Sequence, residues 1–274
     1  MTNRHAISAP EARNIAQVFS TRVIRGLAHQ RRPLPLDRLQ PLLGLVDETA
    51  TLADAFDAAY TVLHNAYRCE YVYKNTLVRG LSDGANALIE LPVQFSIADV
   101  VVIDDRATAY EIKTDFDSLT RLDLQLFSYS SCFEHVYVVT SEAKAHRAAA
   151  EIPEHVGVAA LTATGELSVT RPARSDHTRL NHVVMFQILR RDERLAILQR
   201  QIDYTIDTPP ARLYQRMLAL FTTLPIDTAH HEFTRELRGR DRKQRITAHE
   251  QGLPAALHAT IYCSYQALNS QNTP

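Results

Sequence analysis

The sequence has little net charge, few cysteines and no long hydrophobic run, and each absence excludes a class of protein. Lys and Arg number 30 and Asp and Glu number 31, so a polyanionic partner would need a local basic patch. The three cysteines (Cys69, Cys132 and Cys263) lack metal-ligand spacing and are expected to be reduced thiols. No stretch approaches the roughly 18 apolar residues of a membrane span, and the N-terminal MTNRHAISAPEARN lacks an apolar core. We therefore expect a cytoplasmic chain with no membrane partner.

What is present is a change of hydrophobic period along the chain. The 274 residues are 45% hydrophobic, enough for one large domain or two small ones. Apolar residues recur at helical spacing before residue 60 and after residue 175, and at strand spacing between them. The pattern predicts a helical N-terminal extension (1–60), a mixed core (61–175) and a helical C-terminal region (176–274).

The core predicts an α/β fold. LIELPVQF, ADVVVID and TAYEIKT are typical of strands, and DSLTRLDLQLFSYSSCF is typical of a helix with Asp117 as its N-cap. HVYVVTS is a further strand, and GVAALTATGELSVT indicates a hairpin that turns at Ala163–Gly165. The order is helix, three strands, helix, strand.

Two carboxylates are expected to meet on the strands ADVVVID and TAYEIKT. If their hairpin is centred near Asp105, residues whose numbers sum to about 210 lie opposite each other, and Asp99 and Glu111 meet this condition. Lys113 follows Glu111 by two and shares its face. The plain alternative is a surface hairpin that carries an ordinary Asp and an ordinary Glu–Lys pair.

Adjacent carboxylates in an apolar sheet need a compensating cation. Carboxylate oxygens suit Mg²⁺ or Mn²⁺, and the backbone carbonyl of Ile112 could be a third ligand. Such an ion can activate a phosphodiester and water, and Lys113 could orient that water. The ion and the lysine together would suit the hydrolysis of a phosphodiester bond.

The neighbouring helices carry polar side chains at helical spacing. Gln125 and Tyr129 are four apart in QLFSY, with Arg121 one turn earlier. Glu70 and Lys74 are also four apart, in CEYVYKNTLVRGL. Each set also has a plain structural explanation. The first set could be an ordinary solvated helix face, and the second could be a surface ion pair.

Together these segments resemble the PD-(D/E)XK nuclease superfamily. ADVVVIDDRATAYEIKTD followed by QLFSY carries the motif, and the Q-x-x-x-Y element is similar to that of RecB-type and CRISPR-adaptation exonucleases. About residues 66–195 closely resemble an uncharacterised bacterial and phage family placed in that superfamily. The resemblance implies a restriction-endonuclease-like core, an α-β-β-β-α-β mixed sheet.

The resemblance also implies roles for individual residues. Asp99 would be the first metal carboxylate, Glu111 the second and Lys113 the catalytic lysine. One departure is Ala98, which stands where the superfamily's name motif has proline. Because that proline is a backbone preference and not a ligand, the expected chemistry is retained.

Three helical residues receive roles from the same resemblance. Gln125 and Tyr129 would position the lysine or the DNA. Glu70 would match the acidic residue of the first core helix, as a partner of water or metal. The implied cofactor is Mg²⁺ or Mn²⁺, and the implied partner is DNA.

Candidate phosphate contacts come from the basic run RELRGRDRKQR and the helices beside the strands, although such a run is usually a solvated helix end. The residues are Arg238, Arg240, Arg242, Lys243, Arg121 and Lys74. The pairs His177/His182 and His230–His231 have no Cys at ligand spacing, so ordinary histidines are expected there.

Three functions follow from the sequence. The first is a metal-dependent deoxyribonuclease. The second is a nucleic-acid-binding module on the same fold that does not cut. The third is an interaction protein whose flanking helices bind a protein partner or a second copy of the chain.

Overall fold

The computed structural model describes residues 7–20, 23, 39–241 and 254–263. The chain forms two compact units. The first comprises Met1–Gly80, Leu161–Leu167 and Lys243–Pro274, and the second comprises Leu81–Ala160 and Ser168–Arg242. The division into an N-terminal extension, a core and a C-terminal region stays a prediction. Within the described ranges, no helix is long and apolar enough to cross a bilayer.

The protein is mixed α/β, with one six-stranded mixed sheet. The strands are β1 Asn86–Val93, β2 Ser96–Ile103, β3 Ala107–Lys113, β4 His135–Ser141, β5 Gly157–Leu161 and β6 Leu167–Arg171. The described helices are α1 Ala9–Val18, α2 Gln40–Leu43, α3 Leu52–Ala66, α4 Glu70–Arg79, α5 Leu122–Ser130, α6 Glu142–Glu151, α7 His182–Ile188, α8 Arg191–Ile202, α9 Pro210–Phe221, α10 Ile226–Gly239 and α11 His258–Cys263, with short 3₁₀ helices at His177–Arg179 and Ala255–Leu257.

The first unit is helical because its sequence carries clear start signals. Ser8 and Glu11 form a capping box at α1, and Thr51 and Asp54 form another at α3. The fully buried Asn75 of α4 donates to Ala255 O (3.0 Å) and accepts from Ala259 N (2.9 Å). These bonds pin the C-terminal helical turns of this unit to α4.

The second unit is built around the sheet, whose strand order follows the chain. Strands β1, β2 and β3 are antiparallel, and β4 runs parallel to β3. A parallel neighbour needs a crossover, and α5 provides it. Helix α5 packs on β2, β3 and β4, and α7, α9 and α10 bury further apolar side chains in the same core. The sheet therefore holds the end of β3 between α5 and β4.

The hairpin register agrees with the sequence. Val100 pairs with Tyr110 and Ile103 pairs with Ala107, so paired numbers sum to 210. The hairpin at β5–β6 is also present, and Gly165 has a φ of 85° in its turn. Only glycine adopts that conformation without strain.

The predicted start of α5 is wrong. Its N-cap is Arg121, and the helix begins at Leu122. The Asp117 carboxylate instead accepts from Thr114 N (2.8 Å) and Thr114 Oγ1 (2.6 Å), which closes a turn directly after β3. An Asp side chain that bonds the local backbone favours such turns as readily as caps.

Candidate active site at the end of strand β3

Asp99 lies where β2 and β3 separate. The β2–β3 ladder ends at Val100–Tyr110, and the next pair in register is Asp99 and Glu111. There the Asp99 side chain takes over from the backbone, since its Oδ2 accepts from Ile112 N at 2.7 Å. The predicted pair of carboxylates thus sits on neighbouring strands, with Asp99 half-buried at the fork. Ile112 contributes its N–H here, and its carbonyl as a metal ligand stays a prediction.

Glu111 is the centre of a closed hydrogen-bond network. Its Oε1 accepts from Lys113 Nζ at 2.7 Å and from Gln125 Nε2 at 2.5 Å. Lys113 Nζ also donates to Gln125 Oε1 at 2.9 Å. The Tyr129 hydroxyl lies 2.8 Å from Glu111 Oε2. The structure therefore joins the four residues that the sequence selected from β3 and α5.

Burial explains why this network must be complete. Glu111 is only 2% exposed, and an unpaired carboxylate there would be strongly destabilising. The Lys113 ammonium compensates its charge, and the amide of Gln125 fixes the ammonium. These contacts explain how β3 can carry Glu111 and Lys113 on one largely covered face.

Tyr129 is a permanent donor to this network. It is fully buried, and burial together with the Glu111 charge raises the pKa of its hydroxyl far above the usual value. Its single proton faces two acceptors, because Ile97 O lies 2.6 Å away and Glu111 Oε2 lies 2.8 Å away. The Tyr129 hydroxyl therefore links Glu111 to Ile97, near the start of β2.

Glu90 is a residue that the sequence analysis missed. Its neighbours Ile89 and Leu91 pair with Val100 and Ala98, so Glu90 stands opposite Asp99. Its φ of 57° is left-handed, which strains a residue with a side chain. A lone carboxylate inside the apolar strand LIELP was the available signal. Its position adds a third carboxylate beside the fork.

A cavity of about 300 Å³ opens beside Lys113. Thr140 of β4 and two basic residues of α6, Lys144 and Arg147, line its wall. Asp117 and Glu151 add carboxylates. The lysine therefore has room on one side for a water or an anionic group.

Glu70 and Lys74 lie in the first compact unit, on α4. Their side chains form an ion pair with 2.5 Å between Lys74 Nζ and Glu70 Oε1. Glu70 is half exposed, whereas the Lys74 side chain is 7% exposed. The Lys74 side chain is therefore mostly covered and paired with Glu70, and its contact with DNA stays a prediction. The role of Glu70 stays a prediction.

The other basic candidates divide by burial. Arg121 is exposed, and Arg238 is partly exposed with Asp105 3.2 Å away. Arg240 is buried and grips both oxygens of Glu193, at 2.8 and 2.6 Å. The Arg240 guanidinium is therefore used inside the fold, and its contact with DNA stays a prediction. Arg242 and Lys243 lie outside the described residues.

The comparisons with known proteins point to bacteriophages. A family model described as "Bacteriophage P4 protein cII" matches residues 64–248. "Protein cII" of Enterobacteria phage P4 is 34% identical over 91 residues, which are 32% of this chain and 33% of that protein. The chain thus matches about a third of the length of this curated relative. A solved structure of a Silicibacter pomeroyi protein of unknown function is 13% identical, with a TM-score of 0.33 over 49% of this chain and 93% of that one. The family match covers more than half of the sequence, so the chain belongs to the bacteriophage P4 protein cII family.

Proposed function

We propose that the chain is a metal-dependent nuclease that hydrolyses DNA phosphodiester bonds on a restriction-endonuclease-like core. The observation that carries the proposal is the network of Glu111, Lys113 and Gln125 at the end of β3, with Asp99 in register beside it. The order of these residues along the chain, an acid, a lysine and then an amide, matches the motif of the superfamily that the sequence resembles.

Asp99 and Glu111 would hold Mg²⁺ or Mn²⁺. Their oxygens suit these hard cations, and a carboxylate has about four acceptor sites. Three donors reach Glu111, which leaves one acceptor site, and Asp99 is half-buried, not sealed. The residues therefore fit a divalent cation. When bound, the ion would supply Lewis-acid polarisation of the phosphodiester.

Lys113 would act on the reacting groups from its fixed position. An ammonium has three N–H donors, and two of them are held by Glu111 and Gln125. The lysine lines the cavity beside β4, so the third donor can hold the attacking water or a phosphate oxygen. This contact would stabilise charge that develops on the phosphate.

Exposed aromatic side chains on the segments that build the site favour a nucleic acid as the substrate. Phe95 precedes β2, Phe116 follows β3, and Phe127 lies on α5 between Gln125 and Tyr129. All three are more than half exposed, Phe95 the most at 78%. Aromatic faces of this kind can stack on unpaired bases.

The test is a single-turnover cleavage assay on labelled single- and double-stranded DNA with Mg²⁺, Mn²⁺ or Ca²⁺. We expect cutting with Mg²⁺ and Mn²⁺ and not with Ca²⁺, which is larger and acidifies water less. Asp99→Asn should lose at least about 100-fold in rate. Asp123→Asn, an exposed acid on α5, should cut normally. Folded protein that never cuts with Mg²⁺ or Mn²⁺ would contradict the proposal.

The second candidate is a catalytically silent module that binds nucleic acid or a protein partner. The observation that favours it is the closure of the network, because both oxygens of Glu111 already have donors within the fold. DNA binding without cutting would support the nucleic-acid version. Absence of DNA affinity, together with a stable protein complex or homo-oligomer through the flanking helices, would support the partner version.

A further inference from the structure

A second cluster of ligand-type side chains lies in the same compact unit, away from Glu111 in the sequence. Glu134 precedes β4, His177 begins a 3₁₀ helix, and His230 lies in α10. Each offers one ligand atom, and these three atoms all lie within 4.8 Å of one another. Three distant segments of the chain therefore bring one carboxylate and two imidazoles to one point.

The orientation of His177 is fixed from both sides. Its Nδ1 lies 2.7 Å from Asp227 Oδ1, and its Nε2 lies 2.6 Å from Glu134 Oε2. In these contacts both ring nitrogens donate to carboxylates. Loss of the Nε2 proton would leave a lone pair there for a metal while Nδ1–H still donates to Asp227, and metal-bound histidines commonly have such a partner. Ser175 Oγ, 3.0 Å from Glu134 Oε2, orients that carboxylate as well.

His230 is a buried group whose Nε2 lacks a hydrogen-bond partner. The residue is 6% exposed, and its Nε2 has no partner among the described residues. Its ring lies 5.5 Å from the ring of His177 and 6.4 Å from that of Phe233. Because buried polar atoms are nearly always satisfied, an orphaned imidazole nitrogen beside a carboxylate and a second imidazole points to a missing ligand.

We propose that Glu134, His177 and His230 bind a Zn²⁺ ion, with Asp227 as the partner that orients His177. Two imidazole nitrogens and one carboxylate oxygen are a donor set that zinc accepts in tetrahedral sites. Ligands at bond lengths of about 2.0–2.2 Å are separated by about 3.3 Å, so small side-chain rotations bring these atoms into place. The His177 side chain is 40% exposed, so solvent reaches the cluster and a water would complete the coordination.

The ion would act as a clamp within the second unit. It would join the start of β4, the turn after β6 and helix α10, which are far apart in the chain. The sequence did not indicate this site, because its histidines have no cysteine at ligand spacing and its carboxylate lies 43 residues from the nearest histidine of the cluster. Ordinary histidines were expected at His177 and His230.

The experiment is a zinc titration of the purified full chain after chelator dialysis. Bound metal is measured by elemental analysis, affinity by competition with a chromophoric chelator, and ligand type by the visible spectrum of the Co²⁺ form. We expect one zinc per chain and a rise of several degrees in the melting temperature with Zn²⁺. His230→Gln and Glu134→Gln should each weaken zinc binding by at least about tenfold.

The control is His231→Gln, which changes the next residue of α10, an exposed histidine, and should bind zinc normally. If His230→Gln does not fold, His177→Gln replaces it, since that side chain is partly exposed. No stoichiometric zinc would overturn the proposal and leave an ion-pair cluster only. Equal affinity in the folded His177, His230 and Glu134 variants would overturn it as well, because the zinc would then bind elsewhere.

Discussion

The protein contains two carboxylate centres that are built in opposite ways. Around Glu111, each oxygen has a donor, and the farthest of these, Tyr129, is 18 residues away in the chain. Around Glu134, the cluster is drawn from three segments of the chain, and the buried Nε2 of His230 has no hydrogen-bond partner within the described ranges. The first centre pairs its carboxylate within the fold, and the second is the one where we propose a bound ion.

The two centres therefore support different inferences about bound ligands. At Glu111 the carboxylate oxygens already have hydrogen-bond donors, whereas at Glu134 a buried imidazole nitrogen has no partner among the described residues. At the Glu111 centre both carboxylate oxygens have donors within the fold, so its chemistry depends on the one acceptor site that remains and on the open side of Lys113. The unsaturated Glu134 centre includes a buried imidazole nitrogen that costs stability until a ligand satisfies it. Ligand binding should therefore stabilise the second centre more than the first.

The largest expected effect is the loss of cutting in Glu111→Gln. The change keeps the shape of the side chain but removes one metal-binding charge, and we expect the rate to fall by about 1000-fold, or about 4 kcal/mol. Zinc affinity should be unchanged, and Glu134→Gln should show the reverse pattern. The measurements are single-turnover cleavage and zinc competition. If either variant lost both properties while folded, the two centres would not be independent.

Tyr129→Phe tests how much the closed network contributes to stability. The hydroxyl serves Ile97 O and Glu111 Oε2, so its loss should lower the free energy of unfolding by about 2 kcal/mol. Urea unfolding measures this change. Tyr110→Phe is the control on β3, where the ring stacks on Tyr137 at 5.4 Å, and it should change stability by less than about 0.5 kcal/mol. Equal losses in both variants would show that the contacts of the Tyr129 hydroxyl with Ile97 and Glu111 add no specific stability.

Asp227→Asn tests how much Asp227, the proposed orienting partner of His177, contributes to metal binding at the Glu134 centre. The change weakens the bond to His177 Nδ1, and zinc affinity should fall by about tenfold with DNA cutting unaffected. Chelator competition measures the affinity, and Asp192→Asn, an exposed acid on α8, serves as the control. An unchanged affinity in Asp227→Asn would show that the carboxylate does not orient the metal ligand.

The smallest expected effect concerns Arg238, which lies on α10 like His230. Its partial exposure leaves it available to one phosphate, so Arg238→Gln should weaken DNA binding slightly and reduce the slope of log affinity against log salt by about 0.9. The control is Arg216→Gln, another surface Arg–Asp pair. Fluorescence anisotropy over a salt series measures both. An unchanged slope would mean that Arg238 does not contact DNA. It would also distinguish the Glu134 centre, which shares α10 with Arg238, from the proposed DNA-cutting centre at Glu111.

The sequence by itself determined the local parts of the Glu111 centre. The two-residue period of β2 and β3 and the tight turn between them fixed the register, so Asp99 and Glu111 could be paired in advance. The 3.6-residue period of α5 put Gln125 and Tyr129 on one face. These are short-range effects, in which each residue's place depends on its near neighbours.

Only the tertiary structure decided which charges are buried and which distant residues meet. The basic run predicts a phosphate contact at Arg240, yet its guanidinium pairs with Glu193, 47 residues away. The cluster of Glu134, His177 and His230 had no local pattern to reveal it, and Glu90 had only its position as a lone carboxylate in an apolar strand. The physical reason is that burial and long-range contact come from packing of whole helices on the sheet, which depends on side chains throughout the core. A charged side chain has the same local sequence signature whether that packing covers it or leaves it in water.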